Sequence, residues 1–85
     1  MNQLDYYDLA PDDAVYTAIG SRLRYYRCLR GMNQLQLAEA SGVSRSTIGR
    51  IESYNNQSCS IAIFIALARA LRVPLENLLS DKILT

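Results

Sequence analysis

No histidine occurs in the 85 residues, and cysteine appears only twice, as Cys28 and Cys59. The chain therefore has neither a zinc ligand set nor a disulfide framework, and both thiols are read as free in a reducing compartment. The missing histidine also removes the commonest general base. No nucleophile–base pair, metal cluster or glycine-rich phosphate loop takes its place, which argues against an enzyme and against a cofactor. Long apolar runs are missing too. The longest, IAIFIALA at 61 to 68, falls far short of the roughly 18 to 20 residues that a membrane span requires. The first residues, MNQLDYYDLAPDD, are acidic where a signal peptide would be basic, and no apolar stretch follows them. No window alternates with period two, so no sheet is expected, and repeats and low-complexity segments are absent. The sequence reads as soluble, cytoplasmic and all-α, with no membrane partner.

What is present is apolar enough to fold: hydrophobic residues make up 49% of the chain, enough for one small domain with a packed core. The net charge of +1 hides an uneven distribution. Residues 1 to 18 carry Asp5, Asp8, Asp12 and Asp13 and no base. Residues 19 to 51 carry Arg22, Arg24, Arg27, Arg30, Arg45 and Arg50 against a single acid, Glu39. The remainder balances. The middle is thus a basic zone of arginine, the side chain whose planar fork suits phosphate and guanine.

Helical spacing organises everything after the acidic start. Val15, Ile19, Leu23 and Tyr26 recur along one face of a first helix expected from about Asp13 to Arg30, with Asp12 as its cap and Gly31 as its stop. Asn33 and Gln36, three apart, form the two halves of a capping box for a second helix, which Gly42 breaks. Ser44 caps a third helix with Ile48 and Ile51 inward. SYNNQSCS is a polar loop, and Ser60 caps a fourth helix from Ile61 to about Leu71. Its inward stripe is read as Ile61, Phe64, Ala68 and Leu71. Pro74 stands at the start of a short fifth helix, LENLL.

The middle segment, NQLQLAEASGVSRSTIGRIE, joins two of these helices through a glycine turn four residues after a small residue, Ala38. Ala38 lets the two helices cross closely, and Gly42 tolerates a left-handed backbone. This is the spacing of a helix-turn-helix. With Ile48 and Ile51 inward, a step of 100° per residue places Ser46, Gly49, Arg50 and Ser53 outward. Arg45 projects from the first turn, the part of a recognition helix that meets base edges. Ser46 and Thr47 offer hydroxyls or a methyl. Gly49 either lets the backbone approach the groove or is merely tolerated. Arg50 is placed for a second base or a phosphate. Ser44 is a cap first and a phosphate contact second, and Asn33 presents a helix N-terminus to phosphate.

Through "LRYYRCLRGMNQLQLA", "GVSRSTIGRIE" and "IALARALRVPLENLL", the chain resembles the XRE family, the lambdoid phage repressors and Cro proteins with their bacterial relatives, from Ile19 to Leu79. The resemblance implies an all-α, five-helix lambda-repressor-like domain over residues 16–80 that binds double-stranded operator DNA as a homodimer. An acidic N-terminal arm, 1–15, and a short tail, 81–85, would flank it. It places Gln34 where relatives touch the DNA backbone or the first base. It also pairs Glu52, which ends the recognition helix, with Arg27 of the first helix, as a structural salt bridge rather than a reading contact. Two features depart from the family. Ser53-Tyr54-Asn55-Asn56 replaces the usual turn, leaving Tyr54 either to pack or to face the DNA backbone. Ala62, Ile63, Ala66 and Ala70 stand where relatives are polar, which marks a partner interface. The function expected is a sequence-specific transcriptional regulator acting as a repressor. Its setting is a prophage, a restriction–modification operon or a toxin–antitoxin operon, the last bringing a toxin as partner. The alternative is a protein-interaction module of the same fold that no longer reads DNA.

Overall fold

The computed structural model describes residues 13–53 and 59–79. The N-terminal arm up to Asp12, Tyr54 and the C-terminal tail lie outside the described residues, and with them the readings made for those positions. Among the described residues the chain forms five helices and no strand: α1 (Asp13–Leu29), α2 (Gln34–Ser41), α3 (Arg45–Glu52), α4 (Ile61–Leu71) and α5 (Leu75–Leu78). Because α1 starts at Asp13, it takes in the last residues of the segment assigned to the arm.

The breaks follow from local chemistry. Gly31 adopts a left-handed conformation (φ +71°) just beyond α1, and Met32 N–H donates to Arg27 C=O at 3.1 Å, closing the last turn. Asn33 accepts from Gln36 N–H at 2.8 Å while Gln36 Oε1 accepts from Asn33 N–H at 2.8 Å, the reciprocal capping box expected. Gly42 ends α2 at φ +77°, where a β-carbon would be strained. Ser44 caps α3, its hydroxyl accepting from Thr47 N–H at 3.1 Å. Ser60 differs from expectation. It occupies the cap position of α4, but its side chain makes no capping hydrogen bond.

One core collects Ile19 and Leu23 of α1, Leu37 of α2, Val43 of the turn, Ile48 and Ile51 of α3, Phe64, Leu67, Ala68 and Leu71 of α4, and Leu78 of α5. α1 packs on α3 and α5, α2 on α3 and α4, and α4 on α5. The inward face of α4 is rotated from the expected one. Ile61 is 55% exposed, and Leu67, absent from the expected stripe, is fully buried. Apart from Arg69 the helix carries no polar side chain to fix its rotation in the sequence, and its contacts with α2 and α5 set it instead. The same rotation tucks Ile63, Ala66 and Ala70 partly against the core and leaves Ala62 exposed.

The left-handed position at the end of α4 is Arg72 (φ +60°), where a glycine would be usual. Arg30, in the turn after α1, supports this corner from outside, donating Nε–H to Leu71 C=O at 2.7 Å and Nη2–H to Arg72 C=O at 3.4 Å. A cation and a donor thus meet carbonyls left unpaired at a helix C-terminus.

Candidate nucleic-acid interface

α3 holds its outward face by burying the opposite one. Ile48 and Ile51 are fully buried. Each such side chain is worth about 1.5–3 kcal/mol, so the rotation of α3 is strongly set. Arg45, Ser46, Arg50 and Ser53 are left exposed, with Thr47 and Gly49 half-buried. Neither Arg45 nor Arg50 has a side-chain partner among the described residues. Two unpaired guanidiniums on one short helix form a surface that favours an anion and presents forked donors. The hydroxyls beside them are partly committed. Ser44 donates to Thr47 Oγ1 at 2.8 Å, besides accepting from the Thr47 backbone, so these two residues first serve the cap.

Behind this face lies a charged bracket. Arg27 Nε–H and Nη2–H donate to Glu52 Oε2 and Oε1 at 2.7 and 2.9 Å, and Arg27 Nη1–H donates to Met32 C=O at 2.7 Å. The two side chains are 12% and 6% exposed. The hydrogen bond to Glu52 holds the Arg27 guanidinium above its ordinary pKa, against a smaller opposing effect of burial. The pair ties the end of α3 to α1. Glu52 has a further partner that sequence reasoning missed: Gln34 Nε2–H donates to Oε1 at 3.2 Å. Gln34 and Glu52 lie 18 residues apart on different helices, and nothing local in the sequence links them. Asn33 is exposed beside Gln34, its side-chain oxygen engaged in the capping box.

The structure thus brings Gln34, Arg45, Ser46, Gly49 and Arg50 to one surface and sets Arg27 and Glu52 beneath it. Ala62, Ile63, Ala66 and Ala70 belong to a separate region on α4. Among the described residues no group of three or more histidine, cysteine or acidic side chains could hold a metal, and no helix is long and apolar enough to cross a membrane. Cys28 is exposed and Cys59 half-buried, both as free thiols.

Comparison with known proteins follows the same geometry. Residues 23–78 match the family model described as Helix-turn-helix. The chain is 39% identical over 61 residues to the uncharacterized HTH-type transcriptional regulator RghRB of Bacillus subtilis, covering 72% of this chain but only 44% of that protein. It is 34% identical over 62 residues to the control protein C.SmaI of Serratia marcescens, covering 73% of each. Among solved structures, the restriction-modification controller protein C.AhdI from Aeromonas hydrophila superposes with a TM-score of 0.68 at 33% identity, covering 74% of this chain and 94% of that one.

Proposed function

The chain belongs to the XRE-type helix-turn-helix family of DNA-binding transcriptional regulators, which are not enzymes, and from that premise we propose that it is an operator-binding controller that regulates its own transcription unit as a homodimer. The observation that carries this reading is the outward face of α3, where Arg45 and Arg50 stand exposed and unpaired among the described residues while Ile48 and Ile51 anchor the helix from behind. A helix that only mediated protein contact would have no use for two unpaired guanidiniums beside Ser46. Arg45 reads a base edge from the first turn. Arg50, one turn on, takes a second base or a phosphate, Asn33 presents the start of α2 to the backbone, and Gln34 meets the backbone or the first base.

Of the settings open to this fold, a restriction–modification operon is supported by two relatives, a control protein and a restriction-modification controller, that align over 73% and 94% of their own lengths. A prophage setting, or a toxin–antitoxin operon with a toxin partner, has no comparable support. One domain supplies one reading head, too little contact for tight specific binding, so a two-fold dimer on a pseudo-palindrome is expected, with half-sites about 34–36 Å apart. A footprint upstream of its own gene tests this. Protection of two symmetric half-sites is expected, and protection of a single half-site by one monomer would rule the dimer out.

The dimer surface we assign to the outer side of α4, where Ala62 is exposed and Ile63, Ala66 and Ala70 are partly so, next to the exposed Ile61. Ile63→Asp and Ala62→Asp test it by sedimentation. Because Ile63 also touches the core, the Ala62 variant is the cleaner probe: it should remain folded by circular dichroism and become monomeric. Both variants staying folded and dimeric would refute this surface.

A further inference from the structure

The outer side of α1 carries a patch that the core does not use. Arg24, Tyr25, Cys28 and Leu29 are exposed over its last turns, and Arg30 follows in the turn after it. Tyr25 and Leu29, one helical turn apart, are 50% and 57% exposed. Tyr25 is held from behind. Its ring meets that of Tyr26 edge to face at 5.0 Å, and Tyr26 Oη accepts from Asn77 Nδ2–H at 3.3 Å. The patch is thus a fixed apolar surface with an arginine at each end. Arg24 has no partner among the described residues, and Arg30 stays exposed although two of its donors meet the carbonyls of Leu71 and Arg72. Nearer the start of α1 the same side shows Thr17 and Ser21, seven and three residues before Arg24, which are small enough for another segment to lie across.

A segment of the same chain complements this patch. Residues 4–9, LDYYDL, set Leu4, Tyr6, Tyr7 and Leu9 around two aspartates and carry no base. They lie outside the described residues, but spacing and charge both match. An extended chain running back from Asp13 covers about 17 Å by Asp8 and about 26 Å by Asp5. Measured along the helix, Arg24 and Arg30 stand about 17 Å and about 26 Å from Asp13. The helical rise holds that far, because Arg30 N–H still donates to Tyr26 C=O at 3.0 Å. Pro11, which disfavours helix in the residue before it, stands where the chain would turn back. We propose that residues 4–9 dock on the outer side of α1 in their own chain. Asp8 pairs with Arg24 and Asp5 with Arg30, while Tyr6 and Tyr7 cover Tyr25, Cys28 and Leu29. Docking removes an apolar patch from contact with other chains. It is independent of the DNA-binding reading, since no residue of α3 takes part. Exposed ion pairs add little to stability, so covering, not melting, is what reports the contact.

The exposed thiol of Cys28 lies within the patch and the half-buried Cys59 outside it, so alkylation of the full chain by a neutral maleimide tests this, read by mass spectrometry. The wild type is compared with Asp5→Lys/Asp8→Lys and Tyr6→Ser/Tyr7→Ser, each checked for folding by circular dichroism. Both variants should label Cys28 roughly 3- to 10-fold faster than the wild type, the scale set by two exposed ion pairs, with Cys59 unchanged. Asp8→Lys alone should speed labelling, and adding Arg24→Asp should restore the wild-type rate. Labelling that rises at both cysteines marks an unfolded variant and leaves the decision to this charge swap. Faster labelling in the aspartate variant but not in the tyrosine variant is a charge effect on the thiol, and equal rates in all proteins mean that nothing covers the patch. Either result overturns the proposal. Excess wild type mixed with the tyrosine variant should leave the variant's Cys28 fast. Restored protection there would assign the segment to a second copy and overturn docking within one chain.

Discussion

Helix α1 carries Arg22, Arg24 and Arg27, with Arg30 one residue beyond its end, and α3 carries Arg45 and Arg50, yet the two sets meet different partners. Three of the first four turn onto protein: Arg22 reaches Asn77 C=O at 3.1 Å, Arg27 grips Glu52, and Arg30 reaches Leu71 C=O at 2.7 Å. Those on α3 turn to solvent and have no such partner among the described residues. The carbonyls at the ends of α4 and α5 are acceptors that need donors, and an arginine within reach of them is drawn in. A count of positive charge along the chain therefore overstates what is offered to DNA. Half of the basic zone serves to hold helix ends together.

The largest effect should come from breaking the inward set. Glu52→Ala leaves Arg27 with an unpaired charge at 12% side-chain exposure, and removing one partner of such a pair typically costs about 3–5 kcal/mol. Small domains are stable by only about 5–15 kcal/mol in total. The melting temperature of the DNA-free protein should therefore fall sharply, with operator binding lost as a consequence. A melting curve unchanged by Glu52→Ala, with only DNA affinity reduced, would move Arg27 and Glu52 out of the structural set.

Arg45→Ala tests the outward set and should reverse the pattern. Stability should stay within about 0.5 kcal/mol, as for a surface residue without partners. Operator affinity should fall by roughly 1–3 kcal/mol while binding to random DNA barely changes. Parallel titrations on operator and scrambled duplex measure both. Equal losses on the two would reduce Arg45 to a phosphate contact.

The contrast between the sets also marks where sequence reasoning works. The capping box of Asn33 and Gln36, the left-handed Gly42, the Ser44 cap and the inward pair Ile48 and Ile51 all depend on residues within four positions of one another, and each stands as the spacing predicts. The Arg27–Glu52 pair, 25 residues apart, came from family resemblance and not from periodicity. Contacts spanning 41 and 55 residues, from Arg30 to Leu71 and from Arg22 to Asn77, left no local trace, because a backbone carbonyl has the same identity in every residue. The rotation of α4 departs from the expected stripe for a related reason. A helix whose one polar side chain is Arg69 supplies little contrast, and its neighbours decide that Leu67 goes in and Ile61 stays out.

Arg24 separates location from chemistry, and its substitution should have the smallest effect. It shares α1 and the arginine fork with Arg22 and Arg27, but it is exposed and has no partner among the described residues. In exposure it resembles Arg45. In position it lies on the scaffold helix, outside the surface formed by α3 and the start of α2. If surface charge alone governed operator binding, Arg24→Ala and Arg45→Ala would weaken it alike. If position governs it, Arg24→Ala should leave the melting temperature, the selected sequence and the ratio of specific to random binding unchanged. Only a small, salt-sensitive loss common to all DNA should remain, because one fewer positive charge weakens attraction to the phosphate backbone without regard to sequence. Titrations at two salt concentrations on operator and scrambled duplex read both quantities. A drop in operator preference matching that of Arg45→Ala would place α1 in the reading surface and dissolve the division between the two sets of arginines.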